Sequence, residues 1–326
     1  MTDPNQGQLI ASVYEKVFPR KPTDNVINSL ATWRGLGPQG FKQSASGGRL
    51  FECPIEYAEN TTNQMIAETG TLDTTRVDVF DCSRWNLKIG AGTVNFSTLE
   101  MLRVGGSDDR KFDLVAAKIE NVRKSHFALL NRQTWAASPG TNDLTSIASI
   151  IVQTPTSGVV GGIDSASFSW WRNRSNSGAK TSVIYDAIQA AIRKTWNQCS
   201  LGGITMTPTC IISDLATFSG FEGTLTSVLR FTSSDLASKG DPGFATQAIN
   251  YKGTPYFYDE DCLPANVVYL LNNEVLKFEY LEGGWATLGD KVEPANQLGT
   301  IQKIFTMGNY ICAARRHLGQ VYSCAS

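Results

Sequence analysis

The stretch LFECPIEYAENTTNQMIAETGTLDTTRVDVFDCSRWNLKI, Leu50 to Ile89, decides the fold. In its first limb apolar Phe51, Cys53, Ile55 and Tyr57 alternate with polar Glu52 and Glu56, the period-two signature of a strand buried on one face. In the return limb Val77 and Val79 alternate with Arg76 and Asp78, and Trp85, Leu87 and Ile89 with Asn86 and Lys88, so the limbs form a long hairpin. Between them Ala58 to Thr75 carries only Met65, Ile66 and Leu72 as sizeable apolar groups. So polar a segment cannot offset its ordering entropy with a core of its own, and the tip is expected to project and rest on a neighbouring molecule. A hairpin centred near Ala67 or Glu68 also brings Cys53 and Cys82 close, a pair that can oxidise outside a reducing cytoplasm.

Upstream, Pro22 to Trp33 reads as a helix capped by Thr23 or Asp24, with Val26, Ile27, Leu30 and Trp33 on one face. The run Gly35-Leu36-Gly37-Pro38-Gln39-Gly40 spells G-x-G-x-x-G but follows a helix, contains Pro38 and precedes a Ser/Gly stretch, so it reads as an exposed turn and not a dinucleotide site. Downstream, Gly105-Gly106 precedes Ser107 and Asp108-Asp109, suited to a cap and to N-terminal charge. Phe112, Val115, Ile119, Val122, His126 and Leu129 then recur at spacings of three and four. A helix from Asp108 to Trp135 would be roughly 42 Å long, a beam across a whole domain. His126 lies on its apolar stripe, where a core histidine with one hydrogen-bond partner is expected.

Beyond a Ser/Thr-rich connection, Ile147 to Val152 is apolar and a second helix is expected from Thr181 to Gln198, with Ile184, Ile188, Ile192 and Trp196 four apart. Cys210-Ile211-Ile212 leads to Asp214, which can cap a short helix through Phe218; Pro255 to Tyr258 and Val267 to Leu271 read as buried strands. Phe278, Tyr280, Ile301, Ile304, Phe305 and Met307 mark further strands, and the whole is an α+β chain.

Composition narrows the function. With 29 basic and 30 acidic side chains the net charge is −1, so the footprint of phosphate neutralisation is missing and any contact with DNA should be non-specific. Charged residues make up 18%, fewer than usual, which suits a surface covered by other chains. No apolar run is long enough to span a membrane, and Met1-Thr2-Asp3-Pro4-Asn5 does not begin a secretory signal, so a cytoplasmic product is expected. Seven cysteines without a C-x-x-C pair and only two histidines exclude a zinc framework by spacing; reduced, buried thiols are expected, with no cofactor.

Asp214, Asp259, Glu260 and Asp261 stand at or just past strand ends, where paired carboxylates can serve as acid and base or hold a hard cation. No well-placed histidine, activated nucleophile or phosphate-cradling loop accompanies them, so caps and polar turns are the simpler reading. Phe168, Trp170 and Trp171 beside Arg172 and Arg174 suit either stacking on single-stranded nucleic acid or an inter-subunit anchor; the balanced charge favours the anchor. The contact candidates are thus Met65, Ile66, Leu72, Trp170, Trp171, Arg172 and Arg174.

The order of arm, projecting hairpin, beam helix, Gly-Gly turn and α/β part resembles the major capsid proteins of tailed bacteriophages, of the Hong Kong 97-type fold. GVVGGIDSASFSWWRN (158–173) resembles that family's glycine, apolar, Trp-Arg-Asn segment, followed by a helix ending TWNQCS (195–200). KGTPYFYDEDCLPANVVYLLN (252–272) resembles its Asp, Cys-Pro, strand, Leu-Asn segment, with Leu263 standing between Cys262 and Pro264. The resemblance implies an N-terminal arm (1–47), an extended loop (48–92), a peripheral domain (93–157 and 270–313) and an axial domain (158–269 and 314–326).

It further implies a virion shell protein, not an enzyme, forming pentamers and hexamers around double-stranded DNA. Expected partners are a separate scaffolding protein, a portal, a possible decoration protein and the DNA itself; no membrane is involved. Assembly is expected in the bacterial host cytoplasm. Some members weld subunits through a loop lysine, but Ala58 to Thr75 has none, so no such cross-link is expected. The short region before the loop implies no cleaved scaffold segment. Two alternatives stand beside this reading: an encapsulin-like nanocompartment shell, and an α/β hydrolase or metal-dependent enzyme using Asp214 and Asp259.

Overall fold

A computed structural model of the chain describes residues 31–36, 41–103, 108–179, 186–226, 249–262, 264–295 and 298–324. It begins with helix α1 (Ala31–Leu36); the expected helix upstream of Ala31 lies outside the described residues. The helix runs past Trp33, so Gly35 and Leu36 are helical and Leu36 is buried, correcting the exposed turn at its first two residues; Gly37 to Gly40 lie outside the described residues. Strand β1 (Lys42–Ala45) follows.

The hairpin pairs β2 (Leu50–Glu56) with β3 (Phe80–Asn86) in the register Leu50↔Asn86 to Glu56↔Phe80. Phe51, Cys53 and Ile55 are buried and their neighbours exposed, as the alternation requires. On the outer face Glu52 pairs with Arg84 at 3.2 Å, directly across the ladder. The return limb is not one long strand. Val77 and Val79 fall before β3, and after Leu87 the chain leaves β2 as β4 (Lys88–Ser97) to join another sheet, because ten residues of β14 (Gly299–Cys312) offer it a longer partner.

The register also corrects the cysteine pairing. Cys53 lies opposite Ser83 and Cys82 opposite Pro54, so the two thiols point to opposite faces of the ribbon, and all seven cysteines are free. Burial pushes the Cys53 thiol up to about 11.

After the short helix α2 (Thr98–Arg103) comes the expected beam, α3 (Asp108–Thr134), which at about 1.5 Å per residue is roughly 40 Å long. Its C-terminal half buries His126, Leu130, Asn131 and Thr134, and it packs on β4 and β14. His126 is a core histidine: Nε2 shares a 2.8 Å hydrogen bond with Thr306 Oγ1 of β14, and burial lowers its pKa. The Ile147 to Val152 stretch forms one buried helical turn, α4 (Ile147–Ile150), capped by Ser146.

A small ribbon of β5 (Val159–Val160) and β6 (Ile163–Asp164) leads to a 3₁₀ turn at Ser169–Trp171, strand β7 (Arg174–Ser177) and helix α5 (Asp186–Cys199). Thr181 to Ile184 lie outside the described residues; Ile188, Ile192 and Trp196 are buried as their spacing requires. Strand β8 (Cys210–Ser213) ends at Asp214, which caps α6 (Leu215–Thr226), a helix longer than the turn expected through Phe218. Strands β9 (Ile249–Tyr251), β10 (Thr254–Tyr258), β11 (Val268–Leu271), β12 (Leu276–Leu281), β13 (Thr287–Leu288), β14 and β15 (Gly319–Tyr322) complete the chain.

The strands assort into two larger sheets. One runs β1-β12-β14-β13, with β4 also on β14; the other runs β7-β15-β11-β8-β10-β9. The second is covered on both faces, which is why its central strands read as unbroken apolar runs. Ile211, Val268, Leu270 and Tyr256 face α5 and α6, while Cys210, Ile212, Tyr269 and Leu271 face a core shared with Trp135, Phe278 and Tyr310 of the first sheet's side.

Candidate assembly surface

Beyond Tyr57 the hairpin loses its ladder, and short-range polar bonds shape the tip. Asn60 Oδ1 accepts from Thr62 N at 3.0 Å, Asp73 Oδ1 from Thr75 N at 2.9 Å, Gln64 Nε2 donates to Thr71 O at 3.2 Å, and Gly70 N to Ala67 O at 2.9 Å. The hydroxyl and amide of Thr75 hold the Asp73 carboxyl below its usual pKa. Met65, Ile66 and Leu72 are all exposed, Leu72 by 68% and Met65 fully, and Phe80 joins them at 70%. Phe80 was not among the sequence candidates. Its signal was the doublet Val79-Phe80, which puts an apolar ring out of phase with the strand's buried face.

The root of the hairpin is built differently. Tyr57 stacks on Trp170 with centroids 5.0 Å apart and planes 16° from parallel, and its hydroxyl donates to Asp78 O at 2.8 Å. Trp170 in turn touches Phe168 and Trp171, each at 5.8 Å. Ser83 Oγ donates to Cys312 O at 3.0 Å and Arg84 N to Gly161 O at 2.8 Å, pinning β3 to the end of β14 and to the β5–β6 turn.

Trp171 is corrected from contact candidate to core residue. It is wholly buried in its own chain, with Nε1 donating to Val160 O at 2.8 Å, because the 3₁₀ turn directs it inward and Trp170 outward. Arg172 is half-buried and donates to Ser165 O (2.7 Å) and Ala166 O (2.9 Å). Arg174, also half-buried, sits in β7 opposite Gly319. Met65, Ile66 and Leu72 thus share the tip, while Trp170, Trp171 and Arg172 gather at the root.

Sequence reasoning missed Arg315, which organises that root. It is fully buried, with Nε donating to Ile150 O (2.8 Å), one terminal nitrogen to Ser165 Oγ (2.8 Å) and the other to Asn173 Oδ1 (2.9 Å). Burial pushes its pKa down to about 10, so it stays a cation at neutral pH, with its guanidinium 6.0 Å from the Trp171 ring. The only advance signal was Arg315-Arg316-His317 close behind an apolar strand.

Of the carboxylates named for an enzymatic reading, Asp214, Asp259 and Asp261 are engaged structurally, and Glu260 is exposed. Asp214 Oδ2 accepts from Thr217 N at 3.2 Å, and its Oδ1 from Thr217 Oγ1 (2.5 Å) and Asn266 N (3.2 Å). Asp259 is buried and accepts from Thr32 N (3.0 Å), the Thr32 hydroxyl, Asn131 Nδ2 (3.1 Å) and Asp261 N (2.9 Å). Asn131 Nδ2 also donates to Asp261 Oδ2 at 2.7 Å. Asp214, Leu215, Ala216, Asp259 and Glu260 line an open groove of ≈ 470 Å³. Burial raises the Cys199 and Cys312 thiols to about 12, so at neutral pH neither is a thiolate. Among the described residues no cluster of His, Cys, Asp and Glu is placed to hold a metal, and no helix is long and apolar enough to cross a membrane.

No family model matches the chain, and no curated protein matches it. Solved structures do. The chain is similar to the capsid asymmetric unit of cyanophage A-1(L), with a TM-score of 0.64 over 94% of this chain and 97% of that one at 15% identity. The capsid of the Myoviridae phage XM1 gives a TM-score of 0.58, 8% identity and coverage of 95% and 97%. The SrpI encapsulin of Synechococcus elongatus gives 0.54, 8% identity and coverage of 98% and 95%. The chain therefore has the α+β fold of tailed-phage capsid proteins, one that an encapsulin shares.

Proposed function

We propose that this chain is a major capsid protein, assembling into pentamers and hexamers of an icosahedral shell that encloses double-stranded DNA. The observation that carries the reading is the hairpin. Its tip presents Met65 and Leu72 to solvent, with Phe80 exposed at the start of β3, has no core of its own, and is held by a root built of the stacked Tyr57 and Trp170, buried Trp171 and Arg315. Projecting apolar groups on a braced ribbon suit a contact with a neighbouring copy. The domain division at 93–157 with 270–313 and at 158–269 with 314–326 belongs to this proposal, as do Trp170, Arg172 and Arg174 as contacts near the root. So do a separate scaffolding protein, a portal, a decoration protein, non-specific contact with the packaged DNA and assembly in the bacterial cytoplasm.

Electron microscopy of the purified protein tests the reading. Closed shells or capsomer rings are expected; a stable monomer overturns it. Since Ala58 to Thr75 has no lysine, shells boiled in detergent should run as single chains on a gel, and a covalent ladder would contradict the absence of cross-linking.

The likeness to the SrpI encapsulin supports a second reading, a cellular compartment with the same shell architecture. Particle contents separate the two. Nuclease-protected double-stranded DNA in particles from the native source favours the capsid; a co-purifying protein cargo without DNA favours the compartment.

A further inference from the structure

The six-stranded sheet differs at its two ends. Ahead of β8, the turn Leu201 to Met206 closes on itself: Leu201 and Thr205 form a bridge, Ile204 N donates to Leu201 O at 3.3 Å, and Gly202 and Gly203 take φ of 60° and 74°, conformations that favour glycine. This small finger holds Ile204 87% exposed, with Leu201 and Met206 beside it. Lys252, in the β9–β10 turn, lies at the same end, since Thr254 Oγ1 donates to Pro208 O at 2.9 Å; Lys252 Nζ caps the Trp196 ring at 4.3 Å.

At the far end of β8 lies the open groove. Exposed Leu215 and Ala216 supply its apolar part, and Asp214 and exposed Glu260 its acidic edge. Strand β10 runs parallel to β8, so the finger and the cation sit where both strands start, and the groove and the carboxylates where both end. An apolar projection with a cation and an apolar recess with carboxylates, on opposite ends of one sheet, are complementary but cannot meet within one molecule. Copies joined head to tail satisfy both, and such heterologous contacts close into rings when the rotation permits.

We propose that Ile204 and Met206 of one copy seat on Leu215 and Ala216 of the next, with Lys252 facing Glu260. The inference rests on the shell reading and deepens it by naming the contact between ring neighbours. The test is a double variant, Ile204→Cys with Leu215→Cys, in assembled particles treated with a mild thiol oxidant. A ladder of disulfide-linked chains on a non-reducing gel, absent from either single variant, is expected. Intact shells whose double variant runs as monomer overturn the contact; a parent protein that forms neither shells nor rings instead overturns the shell reading. Lys252→Glu and Glu260→Lys should each lower the assembled fraction about two- to five-fold and restore it when combined. Failure to restore it would refute the facing of these two charges.

Discussion

Arg315 shows how one side chain can decide local structure with no ion pair among the described residues. Its guanidinium joins α4, the Ser165 turn and Asn173 through three neutral acceptors, while Asn173 Nδ2 bonds Val152 O at 2.9 Å. Arg315→Met keeps much of the volume but takes the guanidinium from buried Ile150 O and Ser165 Oγ and leaves Asn173 Oδ1 with only Val152 N at 3.3 Å, so unfolding in urea should show a loss of about 2–3 kcal/mol. An unchanged midpoint would mean that water replaces the guanidinium. His126 carries a pH dependence of known sign. Burial lowers its folded pKa below the ordinary 6.5, so the unfolded chain takes up the proton first and stability falls as pH drops from 6.5 towards the folded value. Thermal midpoints between pH 7.5 and 5 should fall more steeply for the parent than for His126→Gln, whose amide can still bond Thr306; parallel slopes would dismiss the histidine as the cause.

At the scale of elements, the hairpin root rests on close backbone approach. Gly161 has φ +62° and an added Cβ would lie 2.8 Å from Trp85 Cζ2, so Gly161→Ala should loosen the β3 contact and cost about 1–3 kcal/mol, read from the denaturation midpoint. The tip should behave oppositely. Met65→Ser combined with Leu72→Ser removes nothing from the chain's own core, so the far-ultraviolet spectrum should stay the same while the yield of shells drops. An altered spectrum with normal shells would reverse that assignment. These elements also show what the sequence made legible. The alternation around Phe51, Cys53 and Ile55 and the stripe from Val115 to Leu129 were readable because one buried face imposes a period. The break at Leu87 was not, since β4 leaves β2 for a strand some two hundred residues away. Nor was β1, whose exposed, polar Lys42–Ala45 joins β12 through its backbone ladder, with one side-chain bond from Lys277 Nζ to Gln43 Oε1 at 3.2 Å.

Over the whole molecule, one buried knot joins the parts. Asp259 follows β10 of the six-stranded sheet, Thr32 belongs to α1, and Asn131 and Trp135 lie at the end of the beam helix, with Trp135 Nε1 donating to Thr32 Oγ1 at 2.9 Å. Thr134 Oγ1 and the Tyr310 hydroxyl, 2.5 Å apart, extend it into β14. Local periodicity carries no trace of such a knot, and for that reason Asp259 read as an active-site candidate or a polar turn. As a structural acceptor it makes a different demand from a catalytic base. Asp259→Asn keeps the shape but turns one oxygen into a donor facing Thr32 or Asn131, so a loss of about 2–4 kcal/mol is expected. Because α1 is held there by Thr32, limited proteolysis should also cut near Ala31 to Leu36 sooner in the variant than in the parent. Unchanged stability and cleavage, together with the loss of some measurable turnover, would move Asp259 back to the enzymatic reading.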